Sequence, residues 1–86
     1  MDYLTAAEKL CMAGYEDAVV LDGYDDALIG VTYEGHAVYD YDVIIDQLTK
    51  QDGMAVDEAI EWVEYNIIRA LPYAGEMAPI ISHKIE

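Results

Sequence analysis

Apolar residues recur at helical spacing in three parts of the chain, and each part has its own start or stop signal. The pattern predicts a first helix over residues 3–13 and a second that begins near Asp40, which can cap it, and ends at Asp52-Gly53. A third helix is predicted over residues 55–71, closed by Pro72. The three apolar stripes are Tyr3, Ala6, Ala7, Leu10 and Cys11; Tyr41, Ile44, Ile45 and Leu48; and Val56, Ala59, Ile60, Val63, Ile67 and Leu71.

Between the first two helices, alternating apolar and polar positions predict a β-hairpin. The first strand spans residues 27–33, and residues 36–39 return after a two-residue turn at Glu34-Gly35. Because successive side chains of a strand point to opposite faces, one face of the first strand is predicted to carry Ala27, Ile29, Val31 and Tyr33.

The register of this hairpin and a last short strand complete the predicted fold. A two-residue turn places Val31 opposite Val38 and Tyr39 across from Gly30. A final strand over residues 78–82 is predicted to return to the hairpin. The fold class is therefore α+β, a small antiparallel sheet of the hairpin plus the C-terminal strand, packed against about three helices. We interpret residues 1–86 as a single domain.

The charge of the chain is strongly one-sided. It has 18 Asp and Glu against 4 Lys and Arg, for a net charge of −14, while 55% of its residues are hydrophobic. This composition favours a folded acidic domain and excludes direct binding to nucleic acid or to an anionic membrane, which require Lys and Arg. The first residues predict no signal peptide, and the apolar runs are too short to span a membrane. Cys11, the single cysteine, is predicted to be a buried thiol in a reducing cytoplasm.

Much of the acid lies in one interval, residues 10–49, which contains no Lys or Arg. A surface designed only for solubility would mix both signs, and one-sided charge destabilises the compact state. A domain of this size is about 30 Å across, a length over which duplex DNA carries roughly 18 charges. The interval therefore predicts imitation of a nucleic-acid backbone toward the basic groove of a protein. Its carboxylates are Glu16, Asp17, Asp22, Asp25, Asp26, Glu34, Asp40, Asp42 and Asp46.

Affinity usually depends on aromatic anchors as well as charge, and this chain has eight Tyr, one Trp and no Phe. Tyr24, Tyr39 and Tyr41 of the acidic interval are predicted anchors. Trp62 and Tyr65 of the third helix are predicted to form a second contact patch. The alternative for Trp62 is that it completes the core by packing over the first helix. The predicted partner-binding residues are Asp22, Tyr24, Asp25, Asp26, Glu34, Tyr39, Asp40, Tyr41, Asp42, Asp46, Trp62 and Tyr65.

Catalytic and metal chemistry is weakly supported by the sequence. The stretch Asp22-Gly23-Tyr24-Asp25-Asp26 does not match the spacing of an EF-hand loop. Asp40-Tyr41-Asp42 could hold Mg²⁺ with help from Asp46, but helix capping explains the same residues. His36 and His83 have no nucleophile or ligand at motif spacing. We therefore predict a protein that is not an enzyme and has no cofactor.

Five stretches have a distinctive order and spacing: residues 22–30 (DGYDDALIG), 37–42 (AVYDYD), 51–54 (QDGM), 57–62 (DEAIEW) and 64–67 (EYNI). They resemble a group of small acidic proteins encoded by tailed phages and prophages, for which no activity is assigned. The resemblance spans roughly residues 22–81 and implies a product that acts in the cytoplasm of an infected bacterium. Small acidic phage proteins frequently block host defence nucleases, as anti-CRISPR and anti-restriction proteins do.

Three hypotheses of function follow from these patterns. The first is a binding protein that inhibits a host nucleic-acid-binding defence complex by charge mimicry of nucleic acid. The second is a homo-oligomeric adaptor or assembly protein, for example a homodimer, whose acidity serves solubility. The third is a small regulator that binds Mg²⁺ or Ca²⁺.

Overall fold

A computed structural model describes residues 5–83 and residue 85, and it confirms the predicted α+β fold. Within these residues the chain forms three α-helices and a three-stranded sheet, with short 3₁₀ segments between them. The helices are α1 (Ala6–Met12), α2 (Tyr41–Gln51) and α3 (Val56–Asn66); the strands are β1 (Leu28–Val31), β2 (Ala37–Asp40) and β3 (Ile80–Ser82); and the 3₁₀ segments are Asp25–Ala27 and Ile68–Tyr73.

The sheet is mixed, with β2 in the centre. β1 and β2 are antiparallel, whereas β3 pairs with β2 in parallel, with Tyr39 beside Ile81 and Asp40 beside Ser82. The prediction that the last strand joins the hairpin is confirmed, but the prediction of a purely antiparallel sheet is wrong. Two helices intervene between β2 and β3, and such a crossover allows a strand to return in the same direction.

The hairpin has a longer connection than the sequence predicts. The Thr32 N–H donates to the His36 carbonyl (2.8 Å), and the Thr32 carbonyl accepts from the Gly35 N–H (2.9 Å). Gly35 has φ +100°, a backbone conformation that favours glycine. The connection therefore occupies residues 32–36, and the predicted two-residue turn is wrong. The observed register pairs Leu28 with Tyr39, Gly30 with Val38, and Val31 with Ala37.

An irregularity between Leu28 and Gly30 interrupts the alternation of β1. A bulge leaves one residue without a partner and reverses the faces that follow it. Leu28 and Val31 therefore both pack against the core, while Ile29 is 59% exposed. Tyr33 lies in the connection and is fully exposed. The predicted face is thus wrong for Ile29 and Tyr33.

A capping box begins α1. The Thr5 hydroxyl accepts from the Glu8 N–H (3.1 Å), and the Glu8 carboxylate accepts from the Thr5 N–H (2.9 Å). The described part of this short helix buries Ala6 and Leu10. Cys11 is exposed, because it lies about 100° around the helix from Leu10, so the predicted buried thiol is wrong. Part of the predicted helix, including Tyr3, lies outside the described residues.

The limits of α2 match the prediction closely. The Asp40 carboxylate caps the helix by accepting from the Asp42 N–H (2.9 Å) and the Val43 N–H (3.4 Å). The helix ends at the C-cap Asp52, followed by Gly53 with φ +71°. Its apolar stripe faces the core, with Ile44 and Leu48 buried and Tyr41 and Ile45 half-buried.

The third helix is shorter than predicted. It ends at Asn66, whose side chain donates to the Trp62 carbonyl (2.9 Å) and so competes with the backbone bonds of the helix. The chain continues as the 3₁₀ segment that contains Pro72, rather than as α-helix to residue 71. Ala59, Val63 and Ile67 of the predicted stripe are buried, whereas Val56 and Ile60 are exposed.

Tyr39 occupies the centre of the core. It is completely buried, in one cluster with Ile44, Leu48 and Val63 from α2 and α3. Its hydroxyl oxygen accepts from the Leu21 N–H (2.9 Å) and thereby attaches the segment between α1 and β1 to the sheet. Within the residues that the structure describes, no helix has the length and apolar character needed to cross a membrane.

Candidate functional site

The segment before β1 is fixed against two helices. The Gln47 side chain of α2 donates to the Gly23 carbonyl (2.7 Å). The Asp25 carboxylate accepts from the Ala6 N–H at the start of α1 (3.1 Å). These bonds hold a carboxylate-rich loop in a defined position beside α2. We call this the loop–α2 surface, consisting of Asp22, Gly23, Tyr24, Asp25, Asp26, Gln47, Gln51, Asp52 and Trp62.

A polar cleft lies in the loop–α2 surface. It encloses about 190 Å³ and is lined by Gly23, Asp25, Asp26, Gln47 and Gln51. Gln47 and Gln51 are one helical turn apart on α2 and face the loop together. Neither glutamine is among the predicted partner-binding residues, although their spacing marks one face of the predicted second helix.

An aromatic pair adjoins the same loop. The Tyr24 and Trp62 rings have centroids 6.5 Å apart and are tilted by 48°. Both are half-buried against the core, so each ring keeps part of its surface exposed. Burial, with a smaller contribution from the negative charge of Asp52, raises the pKa of the Tyr24 phenol. The structure thus brings together two predicted contact residues that are far apart in sequence, and it adds Asp52, which the prediction omitted.

Tyr39 is not an anchor for a partner in this structure. Its relative exposure is 0%, since its ring fills the core between the sheet and α2. The prediction of Tyr39 as a contact residue is therefore wrong. Burial raises the pKa of the Tyr39 phenol; the hydrogen bond from Leu21 opposes this shift, and the charges of Asp25 and Asp22 add to it.

Raised phenol pKa values make stability depend on alkaline pH. A folded-state pKa above the unfolded value of 10.0 contributes stability that is complete below pH 10.0 and is lost as the pH rises through the folded pKa. We therefore expect the free energy of unfolding to fall above about pH 10, and to fall less in Tyr39→Phe, which has no phenol to ionise there. Urea titrations of both proteins at a series of alkaline pH values measure the free energy of unfolding. An equal decline of that free energy in both proteins would contradict the role of the Tyr39 phenol.

The residues at the start of α2 have mostly local roles. Asp40 is half-buried and caps the helix, and the Tyr41 ring lies against that of His83, with centroids 4.3 Å apart. Asp42 is exposed in the first turn, where the helix dipole favours an anion. Asp46, also exposed, pairs with Lys50 (3.2 Å).

Glu34 belongs to a different part of the surface. It lies in the hairpin connection and lines a second cleft of about 190 Å³ together with Tyr15, Glu16, Asp17 and Met77. The two clefts have no lining residue in common. Five carboxylates of the acidic interval therefore line two clefts rather than one, with Glu16, Asp17 and Glu34 at one and Asp25 and Asp26 at the other.

Tyr65 on α3 is 63% exposed and already has a partner within the chain. The guanidinium carbon of Arg69 lies 4.4 Å from the centroid of its ring. This contact occupies part of the aromatic surface predicted to meet another protein. Tyr65 and Trp62 are three residues apart on one helix.

The acidic residues do not converge on a metal-binding geometry. Among residues 5–83 and 85, no three His, Cys, Asp or Glu side chains are placed to hold a metal ion. The Asp40 carboxylate is directed to backbone N–H groups of α2, as the capping interpretation predicts.

No family model, curated protein or solved structure matches this chain.

Proposed function

We propose that this chain is a phage-type acidic protein that binds a host nucleic-acid-binding defence complex and inhibits it by charge mimicry of nucleic acid. In this proposal the loop–α2 surface enters the basic groove of the target, in the cytoplasm of an infected bacterium. The resemblance of residues 22–81 to small acidic phage proteins supplies the biological context.

The observation that carries the proposal is the exposure of unneutralised charge. Every carboxylate in the described residues is exposed except Asp25 and Asp40, which are half-buried. Among the described residues, one salt bridge forms, between Lys50 and Asp46, and both of its side chains are more than half exposed. Such a surface attracts cationic partners over a distance of about 10 Å at moderate salt and accelerates their association.

The hydrogen bonds that hold the loop–α2 surface also support the proposal. Binding is weakened when a loop must become ordered, at a cost of about 0.5–1.5 kcal/mol per immobilised side chain. Here Gln47 and Asp25 already hold the loop through hydrogen bonds to Gly23 and Ala6. The exposed carboxylates of Asp22 and Asp26 thus belong to a segment that intramolecular hydrogen bonds hold beside α1 and α2.

Capture of the partner at low salt tests this function. The immobilised protein is incubated with nuclease-treated bacterial lysate, and each captured protein is purified and titrated at salt concentrations from about 50 to about 500 mM. We expect a partner with a nucleic-acid-binding groove, an affinity that falls at least about tenfold over this range, and competition by duplex DNA. A partner without a basic surface, or an affinity that ignores salt, would contradict the proposal.

A homo-oligomeric adaptor is the second candidate, because α3 exposes apolar side chains. Val56 and Ile60 lie one turn apart with exposures of 60% and 43%. Two copies that each carry −14 repel one another, so a dimer through this face would become stronger as salt increases. Sedimentation of the purified protein at low and high salt tests the adaptor, which predicts a dimer that strengthens with salt, whereas charge mimicry predicts that binding to the basic partner weakens with salt.

A further inference from the structure

The Tyr24–Trp62 pair places two aromatic rings in the acidic loop–α2 surface. The two half-buried rings lie side by side, and the charge of Asp52 acts on the Tyr24 phenol. Asp22, Asp25 and Asp26 flank Tyr24 in the same short segment. This place therefore combines two aromatic side chains that keep part of their surface exposed with a segment rich in carboxylates.

Arginine fits this combination better than lysine. Its guanidinium is planar and weakly hydrated, stacks on aromatic rings, and donates hydrogen bonds in a fork that matches a carboxylate. The lysine ammonium is a compact and strongly hydrated charge, which loses more on leaving water and gains less from a ring face. Half-buried rings increase this difference, because a cation that stacks there is partly desolvated.

The chain contains an internal example of this contact, between Tyr65 of α3 and Arg69 of the 3₁₀ segment that follows it. Arg69 lies over the Tyr65 ring, 4.4 Å from its centroid. Within the described residues, the Tyr24 and Trp62 rings have no such cation over them. One aromatic site near the end of α3 is thus occupied by an arginine of the chain, while the pair beside the loop keeps exposed ring surface.

We propose that the Tyr24–Trp62 pair, with the carboxylates around it, binds arginine side chains of a protein partner in preference to lysine. This inference rests on the proposed function and identifies the chemistry of the partner: a basic groove whose contact residue at this point is arginine. Charge attracts the partner, and the aromatic pair selects the type of cation.

Two labelled peptides test the preference. They have the same length and charge and differ only in carrying arginines or lysines between glycines and serines. We expect the intact protein to bind the arginine peptide about fivefold more tightly at low salt, as measured by fluorescence anisotropy. Because Trp62 is the only tryptophan, its emission should change on addition of the arginine peptide much more than with the lysine peptide.

Variants locate the preference on the surface. Trp62→Leu should bind both peptides equally, at the affinity that the intact protein has for lysine, while Trp62→Phe should retain part of the preference. The control Tyr33→Leu removes a fully exposed ring outside this surface and should change nothing. Thermal melts verify that each variant is folded, and the emission measurement on the intact protein does not depend on the variants.

Each contrary result has a distinct meaning. Equal affinities of the intact protein for both peptides would overturn the arginine preference and leave charge mimicry intact. An arginine preference without a change in Trp62 emission would also overturn it, because the preference would then arise elsewhere. Binding of neither peptide at low salt would overturn both the preference and the proposed function.

Discussion

Replacing Tyr39 with alanine is expected to lower the free energy of unfolding by about 3–5 kcal/mol. Tyr39 is 0% exposed and lies in one cluster with Ile44, Leu48 and Val63, so its removal leaves a cavity between the sheet and two helices. Domains of this size are stable by only about 5–10 kcal/mol, so the loss removes roughly a third or more of the total stability and leaves a marginally stable fold. Urea titration followed by circular dichroism measures the change.

Two further variants separate the causes of this loss. Tyr39→Phe keeps the ring but leaves the Leu21 N–H without its acceptor, which is expected to cost about 1–3 kcal/mol. Tyr33→Ala removes a fully exposed ring and should change stability by less than about 0.5 kcal/mol. If Tyr39→Ala were as stable as Tyr33→Ala, the ring could not occupy the centre of the core, and it would again be available as an anchor.

The second helix could be predicted from the sequence because its limits depend on local chemistry. Asp40 caps the helix through N–H groups two and three residues away, and Gly53 adopts positive φ just after the last turn. Neither feature requires a distant residue. The same holds for the apolar stripe of α2, whose central residues Ile44 and Leu48 are buried as the spacing predicts.

The strand register could not be predicted because it depends on contacts across the sheet. Glu34-Gly35 has the composition of a tight turn, yet Thr32 makes hydrogen bonds to both Gly35 and His36 and extends the connection. This extension and the bulge at Ile29 change which residues of β1 face the core. A bulge has no reliable sequence signal, since it depends on how the strand packs rather than on its own residues.

The candidate site was predicted in part for similar reasons. The sequence shows that many carboxylates fall in one interval, but it does not show how they group in space, and Glu34 lies on another cleft beside Glu16 and Asp17. Only the folded chain shows that Trp62 lies against Tyr24. Tyr39 could have been recognised as buried from its place on a central strand, once the pairing of β2 with two neighbours was known.

We expect the position of the carboxylates on the surface, rather than the total net charge, to control affinity for the partner. The triple variant Asp22→Asn, Asp26→Asn, Asp52→Asn removes three exposed carboxylates of the loop–α2 surface and leaves Asp25, which caps α1, in place. At about 100 mM salt we expect affinity for the captured partner to fall at least about tenfold, or about 1.4 kcal/mol, because charge pairs at the contact are lost. Calorimetric titration of the purified proteins measures the change.

The second cleft supplies a control that is matched in charge. The variant Glu16→Gln, Asp17→Asn, Glu34→Gln also removes three exposed carboxylates, so both variants change the net charge from −14 to −11. Long-range attraction is therefore weakened equally in the two proteins. If only the loop–α2 surface contacts the partner, the control should lose less than about threefold in affinity. Equal losses would mean that total charge alone drives binding, and the loop–α2 surface would then have no special role.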